Sequence, residues 1–113
     1  MKKHIIVNLT ALRVCYYEED SLILEYPAGV GKSETPTPAG VYQVVDKLIF
    51  NEPGEVDLGS RRFVLSTDKT CLHGSWLEPV EGHVSGGCVR MYNQDIEVLF
   101  EKVEVGTPVT MMY

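Results

Sequence analysis

A cysteine, a histidine and a run of small residues between them carry the chemistry available to this sequence. Residues 71–76 read Cys71-Leu72-His73-Gly74-Ser75-Trp76, and after a short spacer comes His83-Val84-Ser85-Gly86-Gly87-Cys88-Val89-Arg90-Met91-Tyr92-Asn93. A thiol attacks as its thiolate, so it needs a proton acceptor or a positive charge beside it. His73 is the candidate base for Cys88. Glycines let the backbone turn tightly and approach a substrate closely. Successive amides at Gly86, Gly87 and Cys88 are candidate donors of an oxyanion hole. The types and spacing together point to cysteine-dependent acyl transfer.

Other chemistry fits less well. Cys71, His73, His83 and Cys88 would supply a Cys₂His₂ donor set, but their spacing matches no common zinc pattern. A metal ligand also has no use for the Ser-Gly-Gly lead-in, so no metal is expected. Gly31-Lys32-Ser33 resembles the end of a phosphate loop, yet the first glycine of that motif would fall at Tyr26. Pro36 and Pro38 forbid the helix that should follow. Residues 28–40 read instead as a long rigid loop, and no cofactor is expected. The three cysteines Cys15, Cys71 and Cys88 are irregularly spaced and make no disulfide framework. Cys15 sits in an alternating apolar segment, as a small buried hydrophobe would.

The elements that must position these residues are mostly strands. Residues 3–9 are β-branched and apolar, 12–17 alternate, and 22–27 are apolar again after a polar turn. Residues 3–27 therefore read as an antiparallel meander, which favours an all-β sandwich or barrel. Further strands are expected at 41–50, 62–66 and 107–113. One helix is expected at about 94–102, with Ile96, Leu99, Phe100 and Val103 at helical spacing, Asn93 as its cap and Asp95 in its first turn.

At 113 residues the chain suits one domain spanning 1–113. Apolar residues make up 44% and charged residues 23%, the balance of an ordinary globular protein. A net charge of −6 argues against a nucleic-acid partner. No apolar run is long enough to span a membrane. The start, Met1-Lys2-Lys3-His4-Ile5-Ile6-Val7, reads as a first strand and not as a signal peptide.

From His73 to Asn93 the sequence resembles the catalytic motif of the L,D-transpeptidases, the YkuD-type peptidoglycan enzymes. Their pattern is His-Gly-Thr/Ser, a spacer, then Ser-His-Gly-Cys-Ile-Arg-Leu/Met. Here the matching residues are His73-Gly74-Ser75 and Ser85-Gly86-Gly87-Cys88-Val89-Arg90-Met91. Gly31 followed by Thr37-Pro38-Ala39-Gly40-Val41-Tyr42 is similar to a second family segment. Asn93, Asp95 and Gly106-Thr107-Pro108-Val109 are similar to the family's ending. One departure stands out, since Gly86 falls where most members carry histidine. That histidine is not the family's base, so retained activity with altered substrate fit is expected.

The resemblance implies a mainly β, YkuD-like sandwich or barrel with one short helix near the C-terminus. It also implies a substrate, the peptidoglycan tetrapeptide stem. Cys88 would attack the carbonyl before the terminal D-alanine and form an acyl-enzyme, and D-alanine would leave. An amine of a second stem then gives a 3→3 cross-link, whereas water gives L,D-carboxypeptidase activity. Carbapenems would acylate the same cysteine. The Gly74 carbonyl would orient His73 in place of an acid. Ser85, Arg90, Trp76 and Tyr42 are the candidate substrate contacts, with a structural hydrogen-bond hub as the other reading of Arg90. The same resemblance admits a non-catalytic module that binds wall peptides, with Gly86 as its motive. A monomer is expected. The substrate implies a cell-wall or periplasmic location, while the chain as written is also compatible with the cytoplasm or with unconventional export.

Overall fold

Strands are the dominant regular structure of the chain because apolar and β-branched residues recur with period two. The computed structural model describes residues 1–113 and has ten strands and one helix. The strands are β1 (Lys3–Asn8), β2 (Arg13–Glu18), β3 (Ser21–Pro27), β4 (Gly29–Gly31), β5 (Gly40–Ile49), β6 (Arg61–Leu65), β7 (Cys71–His73), β8 (Gly82–Ser85), β9 (Val89–Arg90) and β10 (Pro108–Met112). The helix α1 covers Asn93–Lys102.

The expected N-terminal meander is present. β1 pairs antiparallel with β2, and β2 with β3. Asn8 makes the first turn tight, because its Oδ1 accepts the amides of Thr10 (3.1 Å) and Ala11 (2.8 Å). β10 returns to lie parallel to β1, with Ile5 opposite Val109.

β5 joins the two halves of the sheet. Its first residues pair with β10, and its later ones pair with β6. The β6 register shifts between Val44 and Asp46. A bulge of this kind bends a strand and strengthens its twist, so the sheet curls. The full strand order is β3-β2-β1-β10-β5-β6-β7-β9-β4-β8. The protein is therefore mostly β, a curled half-barrel with one short helix.

The hollow of the sheet is filled by one apolar cluster. Ile5, Val7, Val14, Tyr16, Phe63, Leu72, Val89 and Met111 belong to it, and α1 adds Ile96, Leu99 and Phe100. The Phe63 and Phe100 rings meet at 5.6 Å between centroids. Two lysines finish the helix, where carbonyls lack internal partners and the dipole is negative. Lys47 Nζ donates to Phe100 O at 2.6 Å and lies 4.1 Å from the centre of the Phe100 ring. Lys3 Nζ donates to Lys102 O at 2.8 Å. The polar break at Asp46-Lys47 thus serves the helix above the strand.

Two expectations need correction. The segment 28–40 is not all loop, since Gly29–Gly31 forms β4 between β8 and β9. Periodicity could not reveal it, because a strand of three fully buried residues shows no alternation. Asn93 is also not the helix cap. Tyr92 holds that position without a side-chain bond, and Asn93 is the first helical residue. No helix is long and apolar enough to cross a membrane.

Leu99 is fully buried between α1 and the sheet. We expect Leu99→Ala to cost about 2–5 kcal/mol, read as a lowered urea midpoint with a native-like circular dichroism spectrum.

Candidate active site

β7 and β9 lie side by side and parallel, with Leu72 opposite Val89 and His73 opposite Arg90. One step earlier this register brings Cys71 beside Cys88, and their sulfurs are 3.0 Å apart. The two sulfurs and an imidazole nitrogen of His73 all lie within 4.8 Å of one another. The nucleophile and base read from the sequence therefore meet in space.

His73 is buried, and its Nδ1 lies 2.5 Å from the Gly74 carbonyl oxygen. That carbonyl accepts, so Nδ1 carries the hydrogen and Nε2 is the free basic nitrogen. Burial pushes the His73 pKa down, and the Arg90 and Arg62 charges push the same way. The Gly74 hydrogen bond and Asp57 oppose them without reversing the shift. His73 is accordingly neutral at neutral pH.

Gly74 sits where a larger residue would have to displace a neighbour. A Cβ there would collide with Asn93 Oδ1, which accepts the Ser60 amide at 2.8 Å. The helix start thus lies close against Gly74. Asp57 secures the next turn by accepting from Ser75 Oγ (2.8 Å) and from the amides of Trp76 (2.9 Å), Gly59 and Leu77 (both 3.2 Å). Burial alone would raise the Asp57 pKa, but these hydrogen bonds, led by that of Trp76, bring it below the ordinary value.

Cys88 is half-buried, and its pKa is lowered to about 7. The thiol of Cys71 donating to it is the main cause. Burial opposes this, while the Cys71 amide, Arg62 and Arg90 add to it. Cys71 moves the opposite way and is held protonated by the same contact.

The loop before Cys88 is braced by Ser85. Its Oγ donates to Cys88 O at 2.5 Å and accepts the Gly87 amide at 3.1 Å. Thr70 Oγ1 donates to Gly87 O at 2.9 Å. This corrects the expected trio of oxyanion donors, because the Gly87 amide is already committed to Ser85. The amides of Gly86 and Cys88 remain uncommitted. Gly86 is exposed, and nothing lies within 4 Å of where a Cβ would stand.

The other candidates divide. Arg90 Nη1 donates to Pro79 O at 2.8 Å, while its buried Nε has no partner. It is in part the structural hub foreseen as an alternative. Trp76 lines a depression of about 230 Å³ with Phe50, Val56, Leu58 and Gly59. Tyr42 is not brought to the site. Its hydroxyl donates to Pro38 O at 3.0 Å, and its ring packs on the core. His83 is exposed on β8 near Gly31 O, outside the Cys71–His73–Cys88 group, so the four-donor set does not assemble.

Sequence reasoning missed Arg62 and Asp57. Arg62 is opposite His73 in the β6–β7 pairing and has a buried, unpartnered Nε. Nothing in the local sequence marks it, because its proximity comes from strand pairing. The largest depression, about 600 Å³, contains neither Cys88 nor His73. It is lined by Lys32, Thr37 and His83 among others and borders the site loop, where the Lys32 amide donates to Ser85 O at 3.0 Å. We locate the chemistry by the reactive groups and not by cavity size.

Residues 2–111 match the model of the L,D-transpeptidase catalytic domain, the YkuD family. The chain belongs to the L,D-transpeptidase family. It is 35% identical to YkuD of Bacillus licheniformis over 95% of its own length and 64% of that protein's. The catalytic domain of the Enterococcus faecium L,D-transpeptidase is 27% identical, with a TM-score of 0.81 over 98% of this chain and 97% of that domain. The avibactam carbamoyl enzyme Ldtfm is 28% identical with a TM-score of 0.85, covering 100% of this chain and 49% of that one. The chain thus spans under two thirds of the Bacillus relative and about half of Ldtfm.

The lowered Cys88 pKa has a direct readout. Iodoacetamide labelling of Cys88 should rise through pH of about 7, below the ordinary thiol range, because the thiolate is the reactive form. Arg62→Gln should move that midpoint upward, with the labelled site mapped by mass spectrometry. A midpoint in the ordinary range would refute the electrostatic account.

Proposed function

We propose that this domain transfers the acyl group of a peptidoglycan tetrapeptide stem through a thioester on Cys88. The observation that carries the reading is the array of Cys88, neutral His73 and the Gly74 carbonyl. Family membership supports it, as does the carbamoylated state named for the enzyme Ldtfm.

The Cys88 sulfur gives its proton to His73 Nε2 and attacks the carbonyl between the diamino acid and the terminal D-alanine. Negative charge moves to the carbonyl oxygen, where the Gly86 and Cys88 amides receive it. One such donor is worth about 3–4 kcal/mol in a comparable site. As the C–N bond breaks, His73 returns the proton to the departing amine. A depressed imidazole pKa suits this step, since a weaker base is a stronger acid once protonated. The amine of a second stem then attacks the thioester, loses a proton to His73 and expels the Cys88 thiolate. The product is a 3→3 cross-link.

One observation favours water as the acceptor in place of the amine. The open space at Gly86 lies beside the nucleophile, where most of the family carries an imidazole. A wetter acyl-enzyme would hydrolyse, and the domain would then act as an L,D-carboxypeptidase. The non-catalytic reading is weaker, because a lowered thiol pKa serves no purpose in passive binding.

Incubation with a disaccharide-tetrapeptide should release D-alanine, and Cys88→Ala should lose at least about 10³-fold in rate. A carbapenem should add one drug mass to wild type alone. Turnover by Cys88→Ala equal to wild type would refute the mechanism. The acceptor question has its own variant. Gly86→His should fold with an unchanged melting temperature and shift the products from tripeptide toward cross-linked dimer. An unchanged product ratio would remove the argument from open space.

A further inference from the structure

Cys71 has no role in the steps above, yet it lies directly against Cys88. Its sulfur is 3.0 Å from that of Cys88. Two thiolates sharing a tetrahedral zinc would stand about 3.8 Å apart, so the pair is set more closely than a metal would hold it. The backbone suits a covalent link. Neighbouring strands lie about 4.8 Å apart, within the Cα separation of about 4.4–6.8 Å that a disulfide spans. Exposure is divided between the two. Cys88 reaches solvent, whereas Cys71 is 2% exposed and waits behind it. Arg62 lends positive charge to both sulfurs.

We propose that Cys71 is a resolving thiol for Cys88, so that a peroxide-class oxidant converts the pair into an intramolecular disulfide. In the first step the Cys88 thiolate attacks one peroxide oxygen. The O–O bond breaks, that oxygen stays on sulfur as a sulfenic acid, and the other leaves as water after taking a proton. In the second step the Cys71 sulfur attacks the Cys88 sulfur. The S–O bond breaks, the S–S bond forms, and the hydroxyl leaves as water with the Cys71 proton. The two thiols lose two electrons in all, and the peroxide gains them.

Two features make the route selective. Cys88 has the more thiolate character and the easier access, so it meets the oxidant first. Cys15 lies on β2, where burial and Glu25 push its pKa up, and it contacts Glu25 and neither of the other cysteines. The disulfide would stop oxidation short of the sulfinic acid, which thiols do not reverse. Disulfide formation rests on the geometry alone. That it would switch off turnover rests on the acyl-transfer reading.

The test uses reduced protein and one equivalent of hydrogen peroxide. Intact mass should fall by about 2 Da as two thiol hydrogens are lost, and one alkylatable thiol should remain of the three. Cleavage after Glu81 places Cys71 and Cys88 on separate fragments, which only a disulfide can keep joined. Dithiothreitol should separate them and restore all three thiols. With two or more equivalents of peroxide, Cys88 in Cys71→Ser and Cys71→Ala should instead gain about 32 Da irreversibly, while wild type still forms the linked pair. A wild-type gain of 32 Da without a linked fragment, or a link through Cys15 or between two chains, would overturn the proposal. The wild-type result decides even if neither variant folds. If the linked fragment forms but the reduced protein never turns over a stem peptide, the acyl-transfer reading fails and the resolving thiol stands.

Discussion

The parallel contact between β7 and β9 is the constraint on which the rest of the site depends. It sets Cys71 against Cys88 and His73 against Arg90 in one stroke. Both strands are very short, at three and two residues. So few ladder bonds cannot hold a register by themselves, and the neighbours supply the rest. β6 pairs with β7 on one side, and β4 meets β9 on the other. Leu72 and Val89 point into the core, where a slip by one residue would turn them outward and expose them. The apolar core therefore fixes the relative position of the reactive groups.

Electrostatics follow from that placement. Two guanidinium groups, Arg62 and Arg90, enter from the strands that flank β7. Their charge acts where water is partly excluded, so it counts for more than it would on an open surface. It favours the Cys88 thiolate and disfavours the His73 imidazolium, so it aids proton loss from the thiol and keeps the imidazole neutral. Each arginine keeps a buried Nε without a partner. Such groups are costly to leave unsatisfied.

Rigidity is concentrated where geometry matters. Ser85 uses its one hydroxyl twice, as acceptor from Gly87 and as donor to Cys88. That double bond pattern closes the loop and leaves two amides pointing elsewhere. Asn93 forms a second brace, which ties the helix start to Ser60 beside Gly74. The helix in turn is held at its far end by Lys3 and Lys47 from the sheet.

The sequence alone determined the long strands, the helix near its observed limits, and Cys88 and His73 as a pair that the fold brings together. Those features rest on local periodicity and on residue types whose chemistry does not depend on context. It could not reveal β4, whose three buried residues have no alternation, or the role of Asn93, whose side chain turns to Ser60 and away from its own helix. It offered Tyr42 as a cleft wall and the Gly87 amide as an oxyanion donor, and the folded chain spends both elsewhere. Arg62 and Cys71 gained their importance only when strands distant in sequence were paired. Tertiary structure decided these points because hydrogen-bond partners and electric fields depend on distance in space, and sequence separation does not encode that distance.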